Sequence, residues 1–183
     1  KYVEFDLKDY YYFIKINEIN NENVKVLKNE LKKIQKDIPI VIDLRNTSSL
    51  DYDSSFKIAD LFIKDPFFII FKEAKGFTKK KINDEDCFLF NEIYILQDEE
   101  TFGSAEILAS ILEKKAKANL IGTNTYGYVG IPKTYVLSDK SIIYLTTTIV
   151  LLDENENLMK KGLKPKIEVK KSYLYSETYK KIE

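Results

Sequence analysis

The sequence predicts an α/β fold with a mixed β-sheet, and two observations carry that expectation. Short apolar runs alternate with stretches of helical period through the early part of the chain, the order expected of strands packed against helices. The later part changes character: residues 131–136 and 142–152, the second run full of β-branched side chains, are separated by a Ser138, Asp139, Lys140 turn, which reads as an antiparallel pair. With 183 residues, no internal repeat and no linker, the chain reads as a single domain spanning 1–183, its last stretch, 170–183, a charged and tyrosine-rich tail.

Taken in order, residues 1–7 set Val3, Phe5 and Leu7 against Glu4 and Asp6, the period of a strand. Residues 10–16 (YYYFIKI) form a second, rich in aromatic and β-branched side chains. The cluster Asn20, Asn21, Glu22, Asn23 then caps a helix in which Val24, Leu27, Leu31 and Ile34 recur at spacings of three and four. Pro39 ends it. Residues 40–44 (IVIDL) are short and wholly apolar up to Asp43, the mark of a strand in mid-sheet covered on both faces. A polar loop over 45–53 leads to a second helix, capped by Asp53 or Ser54 and burying Ile58, Ala59, Leu61 and Phe62. Asp65 and Pro66 stop that helix before a strand at 67–71, and the lysine-rich 74–86 reads as a surface hairpin or excursion with a solvated face.

The stretch 101–117 (TFGSAEILASILEKKAK) follows a strand at 93–96 and is the centre of the chain. Its turn, Phe102 to Ala105, has little side-chain bulk, and the helix behind it carries the buried stripe Ile107, Leu108, Ile111, Leu112. Strand, small-residue turn and helix is a geometry that presents a nucleophile or an anion hole. The structural reading of the same residues is capping, with Ser104 as N-cap and Glu106 complementing the helix dipole. Beyond it come a strand at 119–122 (NLIG), a loop at 123–130 (TNTYGYVG) and a last strand at 166–169.

Composition narrows the chemistry. Lys+Arg and Asp+Glu are 29 each, so bulk charge gives no reason to expect a nucleic acid or an anionic membrane as partner. Cys87 is the single cysteine and histidine is absent. That removes an internal disulfide, multi-cysteine and histidine metal sites, and Ser-His or Cys-His catalysis, and no cofactor is expected. No apolar run approaches the roughly 20 residues that span a bilayer. The chain begins at Lys1 without an initiating Met, which fits a piece of a longer protein with a signal peptide or anchor upstream.

Several segments, in this order, resemble the catalytic core of the tail-specific or C-terminal processing peptidases, the S41 family of serine proteases. IVIDLRN at 40–46 is similar to that family's strand ending in D-L-R-N, and FKIADLFI at 56–63 to the helix that follows. TFGSAEILAS at 101–110 is similar to its nucleophile segment T-A-S-A-S-E-I-L-A, NLIGTNTYGYVG at 119–130 to its L-I-G-x-x-T-[FY]-G-K-G, and GLKPKIEV at 162–169 to its closing strand. The likeness runs from about Tyr11 to Val169. It implies a ClpP/crotonase-like spiral ββα core and an extended peptide or protein C-terminal tail as partner. It also implies work outside the cytoplasm, in the periplasm or at the cell surface, with self-association or pairing with an active homologue. Family members often carry a PDZ domain before this core.

In that family a serine attacks the peptide carbonyl, a lysine held neutral by burial is the general base, and backbone N–H groups stabilise the oxyanion. Carried over with Glu106 as anchor, the nucleophile position is Gly103. With Thr125, Tyr126 and Gly127 as anchor, the base position is Tyr128, a phenol that stays protonated near neutrality. A supporting glutamine falls at Pro132, and the Pro-Gly-Gly oxyanion turn at Thr47, Ser48 and Ser49. The expectation is a proteolytically inactive or impaired pseudoprotease that binds peptide through Thr47, Ser48, Ser49, Gly103, Ser104 and Tyr128.

The alternative is an active endopeptidase with Ser104 as displaced nucleophile and Lys133 as base. One helical residue is a rotation of about 100°, and Lys133 falls on the strand face opposite Tyr128 and Pro132; both weigh against it. A crotonase-like acyl-CoA enzyme shares the architecture, but the motifs belong to the peptidase branch. The aromatics Tyr2, Phe5, Tyr10, Tyr11, Tyr12 and Phe13 offer a peptide surface or, more simply, core and rim. Asp43 and Arg45, at a strand's end, read as anchors of the adjoining loop.

Overall fold

The short apolar runs line up side by side, as their lack of a polar face requires. The computed structural model describes residues 3–83 and 86–169. In chain order its elements are β1 (Val3–Leu7), β2 (Tyr12–Ile16), α1 (Asn21–Leu31), β3 (Ile40–Asp43), β4 (Ser48–Ser49), α2 (Tyr52–Asp60), β5 (Phe67–Glu73) and β6 (Gly76–Ile82). They continue with β7 (Ile93–Gln97), β8 (Phe102–Gly103), α3 (Ser104–Ala116), β9 (Asn119–Gly122), β10 (Gly130–Val136), β11 (Ile142–Leu151) and β12 (Ile167–Glu168). A six-stranded sheet has the order β1-β2-β3-β7-β9-β12. Only β1 and β2 run antiparallel; the remaining neighbours are parallel. A four-stranded antiparallel sheet has the order β10-β11-β5-β6, and β4 pairs with β8 in a two-residue parallel ladder. This mixed α/β architecture is the one the sequence predicts.

β3 lies in mid-sheet and is buried throughout. Its register sets Ile42 between Ile14 and Ile95, and those three join Leu120, α2 and α3 in the main core. On the opposite face Val41, Leu96 and Ile121 form a smaller cluster with Tyr11 and Val169. All four stripe residues of α3, Ile107, Leu108, Ile111 and Leu112, are buried, as are Ile58, Ala59, Leu61 and Phe62. Phe56 meets Phe71 edge-on, tying α2 to the four-stranded sheet.

The structure revises several boundaries. Asp51, not Asp53 or Ser54, caps α2: its carboxylate accepts from the Ser54 N–H at 2.9 Å and the Ser54 hydroxyl at 2.7 Å. The helix therefore starts earlier and carries Tyr52 into the core, where its hydroxyl donates to the Gly130 carbonyl at 3.1 Å. α1 ends at Leu31, although Ile34 beyond it is still buried. The lysine-rich stretch is a hairpin of β5 and β6, its lysines in water, with Lys80 paired to Asp53 and Lys79 to Glu154. Of the N-terminal aromatics, Tyr11 is buried, Phe5, Tyr12 and Phe13 are half-buried and Tyr10 is exposed, a core-and-rim pattern. Tyr2 and the predicted tail 170–183 lie outside the described residues. Among the described residues no helix is long and apolar enough to cross a membrane.

Candidate active site

Glu106 organises the N-terminus of α3. Its side chain is fully buried, and an ionised carboxylate so placed needs donors for its lone pairs. Oε1 accepts from the Thr125 hydroxyl at 2.5 Å and the Gly127 N–H at 2.6 Å. Oε2 accepts from the Tyr128 N–H at 2.8 Å and the Gly103 N–H at 3.1 Å. One side chain thus binds the turn before the helix to the loop between β9 and β10. That loop is fastened again by Tyr126 N–H to the Thr101 carbonyl (3.1 Å), Lys160 N–H to the Gly127 carbonyl (2.7 Å) and Leu163 N–H to the Thr125 hydroxyl (2.7 Å). Gly127 has φ 90°, and a Cβ there would meet the Gly162 nitrogen at 2.8 Å; a larger residue would prise the loop open.

On the other side, β4 lies against β8, so that Ser48 faces Phe102 and Ser49 faces Gly103. The Phe102 N–H donates to the Thr47 carbonyl at 3.0 Å, and the buried Thr47 hydroxyl donates to the Ile16 carbonyl at 2.6 Å. Gly103 occupies the helix cap position with φ 69° and ψ −120°. A Cβ on it would stand 2.1 Å from the Ser49 carbonyl oxygen, so the position accepts no side chain without backbone movement. Behind this pair, Arg45 donates to both carboxylate oxygens of Asp43, at 2.8 and 2.6 Å. Lys15 Nζ lies 3.6 Å from the same carboxylate and donates to the Arg45 carbonyl. Burial holds the Lys15 ammonium below its ordinary pKa, against the opposing pull of Asp43. Asp98 accepts from the Asn46 N–H at 3.0 Å. These charges anchor the loop, as their place at the strand ends suggested.

Aromatic side chains close the gap between the two sides. The Phe102 ring stacks on Tyr128 with centroids 5.0 Å apart and planes 4° from parallel, and meets Tyr126 edge-on at 5.0 Å. The Tyr128 hydroxyl bonds the Thr146 hydroxyl at 2.9 Å. Beneath them burial, with Tyr128 and Glu106 nearby, pushes the Tyr52 phenol above its ordinary pKa. Against Tyr126 and Tyr128 opens a largely apolar groove of about 1060 Å³, walled also by Leu145, Ile149 and Met159 and edged by Glu73 and Lys160.

Thr47, Ser48, Ser49, Gly103 and Tyr128 are therefore brought together. Ser104 is not the N-cap: it is the first helical residue, fully buried, and its hydroxyl has no hydrogen-bond partner. Lys133 is exposed on β10 opposite Leu145. Sequence reasoning gave Glu106 only a dipole role and passed over Phe102 and Thr146. The available signal was a carboxylate beside an otherwise apolar stripe, a placement that calls for donors from elsewhere.

The family model described as peptidase family S41 matches residues 11–169. The chain belongs to peptidase family S41. Among curated proteins, it is 29% identical over 175 residues to a Staphylococcus aureus (strain COL) protein named "Probable CtpA-like serine protease", covering 92% of this chain and 35% of that one. A Staphylococcus haemolyticus protein of the same name is 27% identical over 172 residues, covering 90% and 34%. The S41 chain thus spans about a third of the length of these relatives. Among solved structures, a photosystem II D1 C-terminal processing protease superposes with TM-score 0.79 at 17% identity, over 92% of this chain and 48% of that one. A lipoprotein from Streptococcus agalactiae gives 0.70 at 20% identity, over 100% and 69%. At such identities the structural likeness speaks to the fold.

Proposed function

We propose that this S41 domain binds an extended peptide or protein tail without cutting it. The observation that carries the reading is Gly103: at the position where the family's serine is expected stands a glycine with positive φ, with the Ser49 carbonyl where a Cβ would lie. The neighbouring positions fit the same reading. Tyr128, at the family's base position, is committed to a ring stack and to Thr146. The segment that would supply the oxyanion donors is paired to Phe102 and Gly103 as a strand. Ser104 is a poor substitute because its hydroxyl is shut away from solvent, and Lys133 stands in water on another element. What remains suited to a ligand is the groove beside Tyr126 and Tyr128, apolar with a few polar groups at its edge, the usual character of a binding cleft. Extracytoplasmic work, as the family resemblance implies, belongs to the same proposal.

The test is incubation of the purified chain with unfolded proteins and with peptides of varied C-termini, read by mass spectrometry for cleavage and by calorimetry for binding. Binding without cleavage is expected, weakened by Tyr126→Ala. Cleavage that Ser104→Ala abolishes overturns the proposal and makes the protein a protease with a displaced nucleophile. Absence of both cleavage and binding overturns it too.

A further inference from the structure

We propose that the groove selects an acidic segment, an internal stretch of peptide in which a carboxylate stands two places from an apolar side chain, laid along β11 where β5 has stopped. This rests on the peptide-binding reading and names the peptide. Two ammoniums, Lys72 and Lys160, line the groove, and both residues are exposed. Among the described residues neither has a carboxylate within ion-pair distance. Lys72 Nζ stands 5.8 Å from the centroid of the Phe77 ring instead. Glu73 is the one carboxylate among the lining residues, and it accepts from the Thr148 hydroxyl at 3.1 Å. Other lysines of the β5–β6 hairpin are neutralised, Lys79 by Glu154 and Lys80 by Asp53. In a chain whose formal charges cancel, the groove thus keeps an unbalanced positive rim beside an apolar wall of Tyr128, Ile149 and Met159. A ligand complementary to both carries negative charge and an apolar side chain together.

β11 is longer than its neighbour on that side. Its pairing with β5 ends at Thr148 opposite Glu73, where the chain turns back into β6. Residues 142–147 therefore have β10 on one side and, among the described residues, no strand on the other. Leu137 N–H donates to the Ser141 carbonyl at 2.9 Å, and bonded and non-bonded pairs alternate in an antiparallel ladder. Ile143 and Leu145 thus bond toward β10, while Ile142, Tyr144 and Thr146 turn N–H and C=O to the side that β5 has left. No lysine or proline guards this stretch. A strand laid there continues the line of β5, and its residue opposite Thr146 shares the face of Thr146. The Thr146 hydroxyl meets that of Tyr128 at 2.9 Å, and both residues line the groove. Residues two apart in a strand point the same way, so a carboxylate and an apolar side chain at that spacing reach rim and wall at once.

The test compares two peptides acetylated and amidated at their ends, TETLTET and its neutral counterpart TQTLTQT, by calorimetry on the 183-residue chain. The acidic peptide is expected to bind about tenfold more tightly, the sum of two exposed ion pairs, and to lose that advantage in high salt. Lys72→Glu combined with Lys160→Glu is expected to remove the preference, whereas Lys133→Glu on β10 leaves it. Exchange of the Ile142, Tyr144 and Thr146 amides is expected to slow when TETLTET is added. Equal affinity for the two peptides overturns this inference and leaves the peptide-binding reading standing. Binding that demands a free C-terminal carboxylate also overturns it, by assigning the lysines to a chain end. So does protection of the β11 amides that grows with protein concentration alone, which assigns the edge to a second copy. If neither these nor any peptide of a wider panel binds, the peptide-binding reading itself fails and this inference falls with it.

Discussion

The N-terminus of α3 and the β10–β11 hairpin treat their surroundings in opposite ways. At α3 a carboxylate is fully buried and accepts four hydrogen bonds from two segments of the chain, the turn before the helix and the β9–β10 loop. On the hairpin large apolar side chains stand in water and part of the backbone points outward unpaired. The first region is closed on itself and the second is open to a partner. The contrast separates what the domain preserves from what it offers. The first holds its shape through buried polar groups that cannot be released cheaply.

The sharpest way to break that contrast is Glu106→Ala. Four donors would lose their buried acceptor, and a loss of about 3–5 kcal/mol is expected, read from denaturant unfolding. A cost below about 1 kcal/mol would mean that water serves those donors equally well. Next comes Gly103→Ser, which puts a hydroxyl at the position where the proposed reading expects the family's serine. Positive φ and the Ser49 carbonyl together predict a loss of about 2–4 kcal/mol and no hydrolysis of a peptide panel. A stable, hydrolysing variant would show that the backbone of β4 and β8 yields easily.

Ser104→Ala should behave in the opposite sense. Its hydroxyl is buried without a partner, so its removal is expected to be neutral or to stabilise by up to about 1 kcal/mol; a loss above that would reveal a bond the hydroxyl makes. The smallest effect concerns pH. Burial lowers the folded-state pKa of Lys15 below its unfolded value of 10.5. Between those two values the unfolded chain holds the extra proton, so stability should rise as pH climbs through that window. Lys15→Met is expected to flatten that rise in denaturant titrations at several pH values, and an unchanged slope would mean the ammonium is well solvated.

Much of this was legible in the sequence, for identifiable reasons. Runs such as 40–44 have no polar face to give to water, so a mid-sheet position follows. The family resemblance picked out Gly103, Tyr128 and residues 47–49, and in the structure these residues gather around the N-terminus of α3. The caps were harder. Asp51, Asp53 and Ser54 all qualify chemically, and only the entry of Tyr52 into the core decides among them. Ser104 looked like a cap because serine favours that place, whereas Gly103 holds it through a positive φ that tertiary pairing with Ser49 fixes. A ladder of two residues leaves no periodicity to read. Nor does Glu106 announce its partners, for Thr125, Gly127 and Tyr128 lie 19 to 22 residues away.

The Glu106 carboxylate also sets how the groove can breathe. Gly127 and Tyr128 form one wall of it, and their amides cannot swing outward without stranding a charge inside the helix end. Their hydrogen exchange should therefore follow the opening of α3 rather than the faster fraying usual for a loop. That wall is a rigid jamb, and any widening of the groove to admit a guest falls to the β5–β6 end, where Lys72, Glu73 and Ala74 line it.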